Sequence, residues 1–316
     1  MKRLSLMLTA LAAFVMLPVM SAFAEWTPSG PIKLLVAFRA GGGTDTQARM
    51  IAEELEARKG WKIIPGNVTG KGGAVLAKKM KDEPNDGLTI GMAVTETFSY
   101  AMIAAKNPGY SAEDFTYLTT TTGSQMGLVA MSSSGWKTID DMIAAAKGGQ
   151  KMRFGVMSPK LADAAYLVGK QYGVDFNLVT LKGGKGVMNG LNAGDIDIGW
   201  GAGIQTKGVL AGNMVNLLSG ETTRLRISPD APTVAEIGVP YDFGAKFVFF
   251  APAGIPEEAR QALTSAIVEV ITDPSTKASQ FVTKAFSGPL VIAGDELTQH
   301  LKSQITASHE LMAASE

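Results

Sequence analysis

The feature that most constrains this chain is a unit that recurs along it: an apolar run, a glycine-rich turn, then an amphipathic helix. Its clearest form is IKLLVAF, RAGGGTD, TQARMIAEEL, from Ile32 to Leu55. A near-continuous apolar run of this length is the pattern of a strand buried on both faces, as in a parallel sheet. Ala48, Ile51, Ala52 and Leu55 then recur at helical spacing, and Gly60 is placed to end the helix. Three consecutive glycines lose more backbone freedom on folding than any other triplet, so the turn needs a reason.

The unit repeats. Trp61 to Ile64 reads as a strand before the turn and helix of PGNVTGKGGAVLAKKMKD, and Leu88 to Val94 as the next strand, ending at Thr95. Thr138 is an N-cap for a helix through Lys147, stopped by Gly148-Gly149. Met152 to Val156 is a strand, after which Ser158-Pro159 opens a helix through about Lys170. Val179 to Leu181 precedes KGGKGVMNGLNAG, whose Val187, Met188 and Leu191 share one helical face. Ile196 to Trp200 and Val215 to Leu218 read as strands. Pro256 and Asp295-Glu296 open two late helices, ending near Ile271 and Ala314. Strands alternating with helices this often predict an α/β protein with mostly parallel sheets flanked by helices. The theme recurs in both halves, which predicts two similar lobes. The Pro and Gly cluster Ala251-Pro252-Ala253-Gly254 is a candidate return crossing between them.

The chain is expected to be exported. Lys2 and Arg3, an apolar stretch from Leu4 to Met20 broken by Pro18, and Ala22-Phe23-Ala24 form a secretory signal peptide, residues 1–24, cleaved after Ala24. A membrane anchor is the competing reading, but the stretch is short and a cleavage pattern follows it. Removing 24 of the 316 residues leaves 292, enough for two ordinary domains or one large one. Lys2 and Arg3 leave with the signal, so 27 of the 29 basic residues face 29 acidic ones, a balance that argues against nucleic acid as a partner. There is no cysteine, so stability rests on the core rather than on disulfides. The two histidines, His300 and His309, have no carboxylate cluster beside them, which speaks against a metal site.

The turns themselves predict an anion site. Ligands of open α/β sheets settle beyond the carboxyl ends of the strands. A helix beginning there offers amides without intrahelical partners and the positive end of the macrodipole. Gly41, Gly42, Gly43 and Thr44 are placed to hold a carboxylate or phosphate through N–H groups, as are Gly183-Gly184 with Lys182 and Lys185 beside them. Ser158 fits the same logic less firmly. A β-branched residue at Gly42 or Gly43 is then expected to abolish binding while leaving the fold largely intact. Each feature also has a plain reading: tight turns carry glycine for geometry alone, Asp45 is a helix-start residue, the two lysines are solvated charges, and Trp200, Phe249 and Phe250 pack the core or the lobe interface. Phosphate is the weaker choice, because GxxxxGK[ST] and GxGxxG are absent. No GxSxG elbow is present, and no His stands by a Ser as base.

These segments, with PIKLLVAFRAGGGTDTQARMIAEEL, NVTGKGGAVLAKKM, NDGLTIGM, YSAEDFTYL, LKGGKGVMNGLNAGDIDIG, APTVAEIGVP and FFAPAGIPEEAR in this order, resemble the substrate-binding receptors of tripartite tricarboxylate transporters, the TctC-like or Bug-type family. The resemblance covers essentially the whole mature chain. It implies a two-lobed periplasmic-binding-protein-like fold hinged around a central cleft, with lobe 1 at 25–123 plus about 247–316 and lobe 2 at 124–246. It implies a periplasmic, monomeric, non-enzymatic receptor without cofactor or metal. Such a receptor captures a small organic acid, a di- or tricarboxylate or an aromatic carboxylate, and delivers it to integral membrane permease subunits. The family's ligand-holding loops fall on Phe38 to Asp45, Thr95, Ser158 and Lys182-Gly183-Gly184. Three positions depart from the family pattern. Arg39 stands where small residues are common, either to bind an acidic ligand or to face solvent. Glu96 follows Thr95, a carboxylate that repels an anion unless the ligand carries a donor or cation, or Arg39 pairs with it. The loop GVMSPKLADAAYL lacks the family's glycine-serine-rich form. Two other readings stay open: an exported hydrolase or isomerase using Asp45, Glu96 or Lys182 as acid or base, and a receptor whose closed form signals to a membrane sensor protein.

Overall fold

The computed structural model describes residues 26–316, so the signal peptide and its cleavage site lie outside the described residues. Ten strands form two five-stranded sheets. The first contains β1 (Ile32–Val36), β2 (Ile63–Asn67), β3 (Thr89–Val94), β4 (Phe115–Gly123) and β10 (Lys246–Pro252), in the order β2-β1-β3-β10-β4. The second contains β5 (Met126–Met131), β6 (Arg153–Val156), β7 (Asn177–Thr180), β8 (Ile198–Ala202) and β9 (Met214–Ser219), in the order β7-β6-β8-β5-β9. The expected similarity of the halves is a shared strand order: a parallel trio, then a strand running against it, then an antiparallel edge.

That order corrects one expectation. The strand directions are mixed rather than mostly parallel, because β10 enters the first sheet and β5 the second antiparallel to their neighbours. These are the strands through which the chain changes sheets. Ser124-Gln125 alone separates β4 from β5, and the return comes just before Lys246. The return crossing is therefore not Ala251 to Gly254. Ala251 and Pro252 are already paired inside β10, opposite Thr116 and Phe115. A second correction concerns β2, which continues through Pro65-Gly66-Asn67 where the glycine turn was expected to begin. It is an edge strand, and an edge tolerates the N–H that proline lacks.

The helices are α1 (Gly43–Lys59), α2 (Ala74–Met80), α3 (Tyr100–Ile103), α4 (Ile139–Lys147), α5 (Pro159–Tyr172), α6 (Gly183–Ala193), α7 (Thr206–Leu210), α8 (Glu257–Thr272), α9 (Lys277–Ala285) and α10 (Gly294–Ser315). The apolar faces read from the sequence are the buried ones: Ala48, Ile51, Ala52 and Leu55 on α1, and Val187, Met188 and Leu191 on α6. Gly60 caps α1 in the left-handed conformation, at φ 69°, with its N–H donating to Glu56 O. Each sheet has its own core. Phe249 packs on the α1 and α8 face of the first sheet, while Trp200 and Phe154 centre the second. Helix α10 ties the two together. Its Leu297 and Leu301 belong to a core of the first sheet, and Leu311 to the core of the second.

Candidate functional site

Helix α1 starts at the carboxyl end of β1, and α6 at that of β7, as the strand–turn–helix units dictate. The two starts face each other. A Cβ on Gly183 would lie 4.0 Å from Phe38 Cδ1, and one on Gly41 would lie 2.9 Å from Lys185 Nζ, so the α1 and α6 turns touch. Neither helix has a side-chain cap at its N-terminus. Around α1, Gly41 N–H donates to Asp45 Oδ2 at 2.8 Å and Gly42 N–H to Arg39 O at 3.1 Å. The next amides, of Gly43 and Thr44, have no partner within the described residues, and neither do those of Gly183 and Gly184. Free amides at the positive ends of two helix macrodipoles, one beside each sheet, are an arrangement that favours an anion.

Between them lies a cavity of about 80 Å³. At the 10–15 Å³ that one water-sized group needs, it holds roughly six such groups, the scale of a small metabolite. Phe38, Arg39, Gly42, Gly43, Thr44, Glu96, Ser158, Lys182, Gly183 and Gly184 all line it. A neighbouring recess of about 460 Å³, walled by Thr69 to Gly72, Met157 to Pro159 and Thr180 to Gly183, shares Phe38, Arg39 and Ser158 with it.

Three expected site residues do not reach the cavity. Gly41 faces Lys185 instead, at a positive φ of 70° that, with the close approach of Nζ, explains the glycine. Asp45 is buried beneath the turn, where Oδ2 accepts from Gly41 and Oδ1 from Arg49 Nε at 2.9 Å and Asn67 Nδ2 at 2.8 Å. Against the penalty of burial, the Gly41 amide, Asn67 and Arg49 together hold its carboxyl below the ordinary aspartate range. Asp45 braces the loop and does not line the cavity. Thr95 is buried too, its Oγ1 accepting from Lys246 N–H at 3.1 Å where β10 enters the first sheet. Gly43 has a second duty. A Cβ there would lie 2.7 Å from Cζ of the buried Phe286 ring, so a β-branched residue at 43 disturbs packing as well as binding.

Arg39 is exposed at the rim and makes no ion pair among the described residues, so the expected pairing of Arg39 with Glu96 is not formed. Glu96 is 6% exposed and its Oε1 has no hydrogen-bond partner within the described residues. Burial pushes its carboxyl above the usual glutamate range, against the opposing pull of the nearby Lys160 ammonium and Ser158 hydroxyl. Lys160, buried in the first turn of α5, is pushed down by the same desolvation and donates to Gly244 O at 3.2 Å. Ser158 caps α5 by accepting from Leu161 N–H at 3.4 Å.

Several lining residues were not anticipated: Gly72, Val94, Ser124, Met126, Met157, Leu161, Ala202, Ile204, Ala245 and Phe247. Ser124 lies in the first crossing and Met126 directly after it, and Ala245 and Phe247 lie where the second enters β10, so both crossings line the cavity. Nothing in the local sequence marks them, because their placement depends on which strands the crossings join. Among the described residues no cluster of His, Asp or Glu has metal-binding geometry.

Residues 47–314 match the family described as the tripartite tricarboxylate transporter family receptor. A UPF0065 protein from the gbd 5′ region of Cupriavidus necator is 27% identical over 270 residues, covering 82% of this chain and 80% of that protein. Two solved structures from Rhodopseudomonas palustris share the fold. Rpa4515 with adipate superposes with a TM-score of 0.81 at 22% identity, over 91% of this chain and 98% of its own. MatC with bound malate superposes with a TM-score of 0.78 at 23% identity, over 90% of this chain and 99% of its own.

Proposed function

The chain belongs to the tripartite tricarboxylate transporter receptor family, and on that premise we propose that it is a periplasmic receptor that captures a small organic acid between its lobes. The observation that carries the reading is the meeting of the free Gly43-Thr44 and Gly183-Gly184 amides across one cavity. One carboxylate sits on those amides, with Lys182 and Lys185 adding positive potential at the rim. The lobes divide at the crossings, with 25–123 and about 247–316 in one and 124–246 in the other. Because the clamp is split between them, a ligand touching both favours the closed arrangement by its differential affinity for it. The closed, monomeric receptor delivers its cargo to integral membrane permease subunits. The bound malate and adipate of the two structural neighbours support a carboxylate as cargo.

Thermal-shift screening of the mature protein against an organic-acid panel, followed by calorimetry on the hits, tests the reading. At least one carboxylate is expected to raise the melting temperature. A ligand at one hundred times its Kd adds about 2.7 kcal/mol of stability. A panel without any shift or heat would remove the basis for the reading.

A further inference from the structure

Every charged feature of the cavity favours an anion except one. The α1 and α6 helix starts, Arg39, Lys182 and Lys185 are positive or offer donors, whereas Glu96 brings a carboxylate to the same space. Its one unpartnered oxygen is what makes it informative. Glu96 is 94% buried from solvent by its 6% exposure, it lines the cavity, and Oε1 meets no donor within the described residues. A buried carboxylate oxygen left without a donor costs more than an ordinary unmade hydrogen bond, and such groups in native proteins call for an explanation.

Two neighbours act on its charge, the Lys160 ammonium and the Ser158 hydroxyl, yet Oε1 itself has no hydrogen-bond partner within the described residues. Gly72 is the residue facing Oε1, with no side chain to offer; a Cβ built there would lie 3.9 Å from Oε1 and 3.8 Å from Ser158 Cβ. The Lys160 ammonium donates to Gly244 O and acts on Glu96 through charge, without a hydrogen bond to Oε1. Arg39 stays at the rim. Val94, Met126, Met157, Leu161 and Phe247 make the rest of the wall apolar. A donor carried by a guest in the cavity meets Oε1 directly.

Resting on the carboxylate-receptor reading above, we propose that the ligand is an amino acid type of molecule: a carboxylate held by the α1 and α6 amides, with a protonated amine donating to Glu96. Such a guest matches both halves of the cavity at once, amides to its anionic end and carboxylate to its cationic end. A dicarboxylate of the same length meets Glu96 with a second negative charge in a desolvated space, where like charges repel strongly. Glu96 thereby acts by exclusion as well as attraction, which is how sites discriminate near-isosteric guests.

Calorimetry on the wild-type mature protein decides the matter with matched probes: γ-aminobutyrate and δ-aminovalerate, the dicarboxylates succinate and glutarate, and γ-hydroxybutyrate as an uncharged donor. The amine-bearing acids are expected to bind at least tenfold more tightly than the dicarboxylates. E96Q is expected to lose at least tenfold for the amines and to narrow or reverse that ranking, with circular dichroism and melting temperature reporting its fold. Tighter binding of the dicarboxylates by wild type overturns the inference and leaves the receptor reading standing, and this arm needs no variant. A preference for γ-hydroxybutyrate over both amines also overturns it. If none of these binds and no acid of the wider panel does either, the receptor reading falls and the inference with it.

Discussion

Asp45 carries three hydrogen bonds on a side chain only 3% exposed, so its charge is part of how the α1 turn holds its shape. Asn67 adds to the brace by donating also to Phe38 O at 2.8 Å, which ties the end of β2 to the turn. Replacing Asp45 by Asn removes a charge-assisted acceptor, and a loss of about 1–3 kcal/mol is expected in chemical denaturation. The pH dependence follows from the depressed pKa. The folded form binds its proton less readily than the unfolded chain, so the stabilisation is fully present above the ordinary value of 3.8 and fades as pH falls through the lower folded value. The gap between wild type and D45N should therefore be constant from neutral pH down to about 4 and shrink below it. Gly184 offers a cleaner test of the clamp than Gly43. A Cβ there meets Ile204 Cγ2 at 3.5 Å, an ordinary contact. Gly184→Val is expected to weaken carboxylate binding at least tenfold, about 1.4 kcal/mol, with little change in melting temperature. Gly43→Val should lower both, since its Cβ meets the Phe286 ring. The placing of Gly42, Gly43, Gly183 and Gly184 at two helix starts was legible in the sequence, because each pair follows an apolar run and precedes a helical period. The lining at the crossings was not, since crossings leave no local pattern. Lys160 was missed although a signal existed: a lysine in the first turn of a helix opposes the macrodipole, and a buried one needs a partner.

At the scale of elements, what decided legibility was whether burial came from apolar side chains. β1, β3 and β6 are short apolar runs and declared themselves. β4 did not, because Thr119 to Thr122 form a polar block that is nevertheless fully buried. The hydroxyls are satisfied: Thr120 Oγ1 donates to Leu290 O at 2.7 Å, Thr122 Oγ1 to Gly288 O at 2.6 Å, and Thr121 Oγ1 to Gln47 Oε1 at 2.7 Å. The segment 288–293 thus lies along β4 as a strap, paired with it at Thr119 and Thr122. The β-branched character of threonine was the available hint. Thr121→Val keeps the shape but strands Gln47 Oε1, and a loss of about 1–3 kcal/mol is expected. Helix α4 shows the opposite case, a local signal that suffices. Thr138, the N-cap read from the sequence, accepts from Asp141 N–H at 3.2 Å, and Asp141 completes the pair by accepting from Thr138 N–H at 2.9 Å. Thr138→Ala should lower stability by about 1 kcal/mol in urea melts.

For the whole molecule, the same order of strands in both sheets lets two crossings and one helix join the halves. The crossings at Ser124-Gln125 and before Lys246 line the cavity, so movement there changes the distance between the α1 and α6 starts directly. Helix α10 packs against both cores, and the Tyr100 hydroxyl donates to Asp163 between α3 and α5, on the side where the C-terminal helix lies. Closure on ligand should shrink the molecule, and small-angle scattering at saturating ligand is expected to give a smaller radius of gyration than the free protein. The account rests most heavily on the amides themselves. The measurement that reaches them is a nitrogen-15 NMR titration of the mature protein with the tightest carboxylate from the panel. Saturable downfield shifts of the Gly43, Thr44, Gly183 and Gly184 amide protons, all following one Kd, are the predicted result. Those four resonances holding still while others report binding would contradict it.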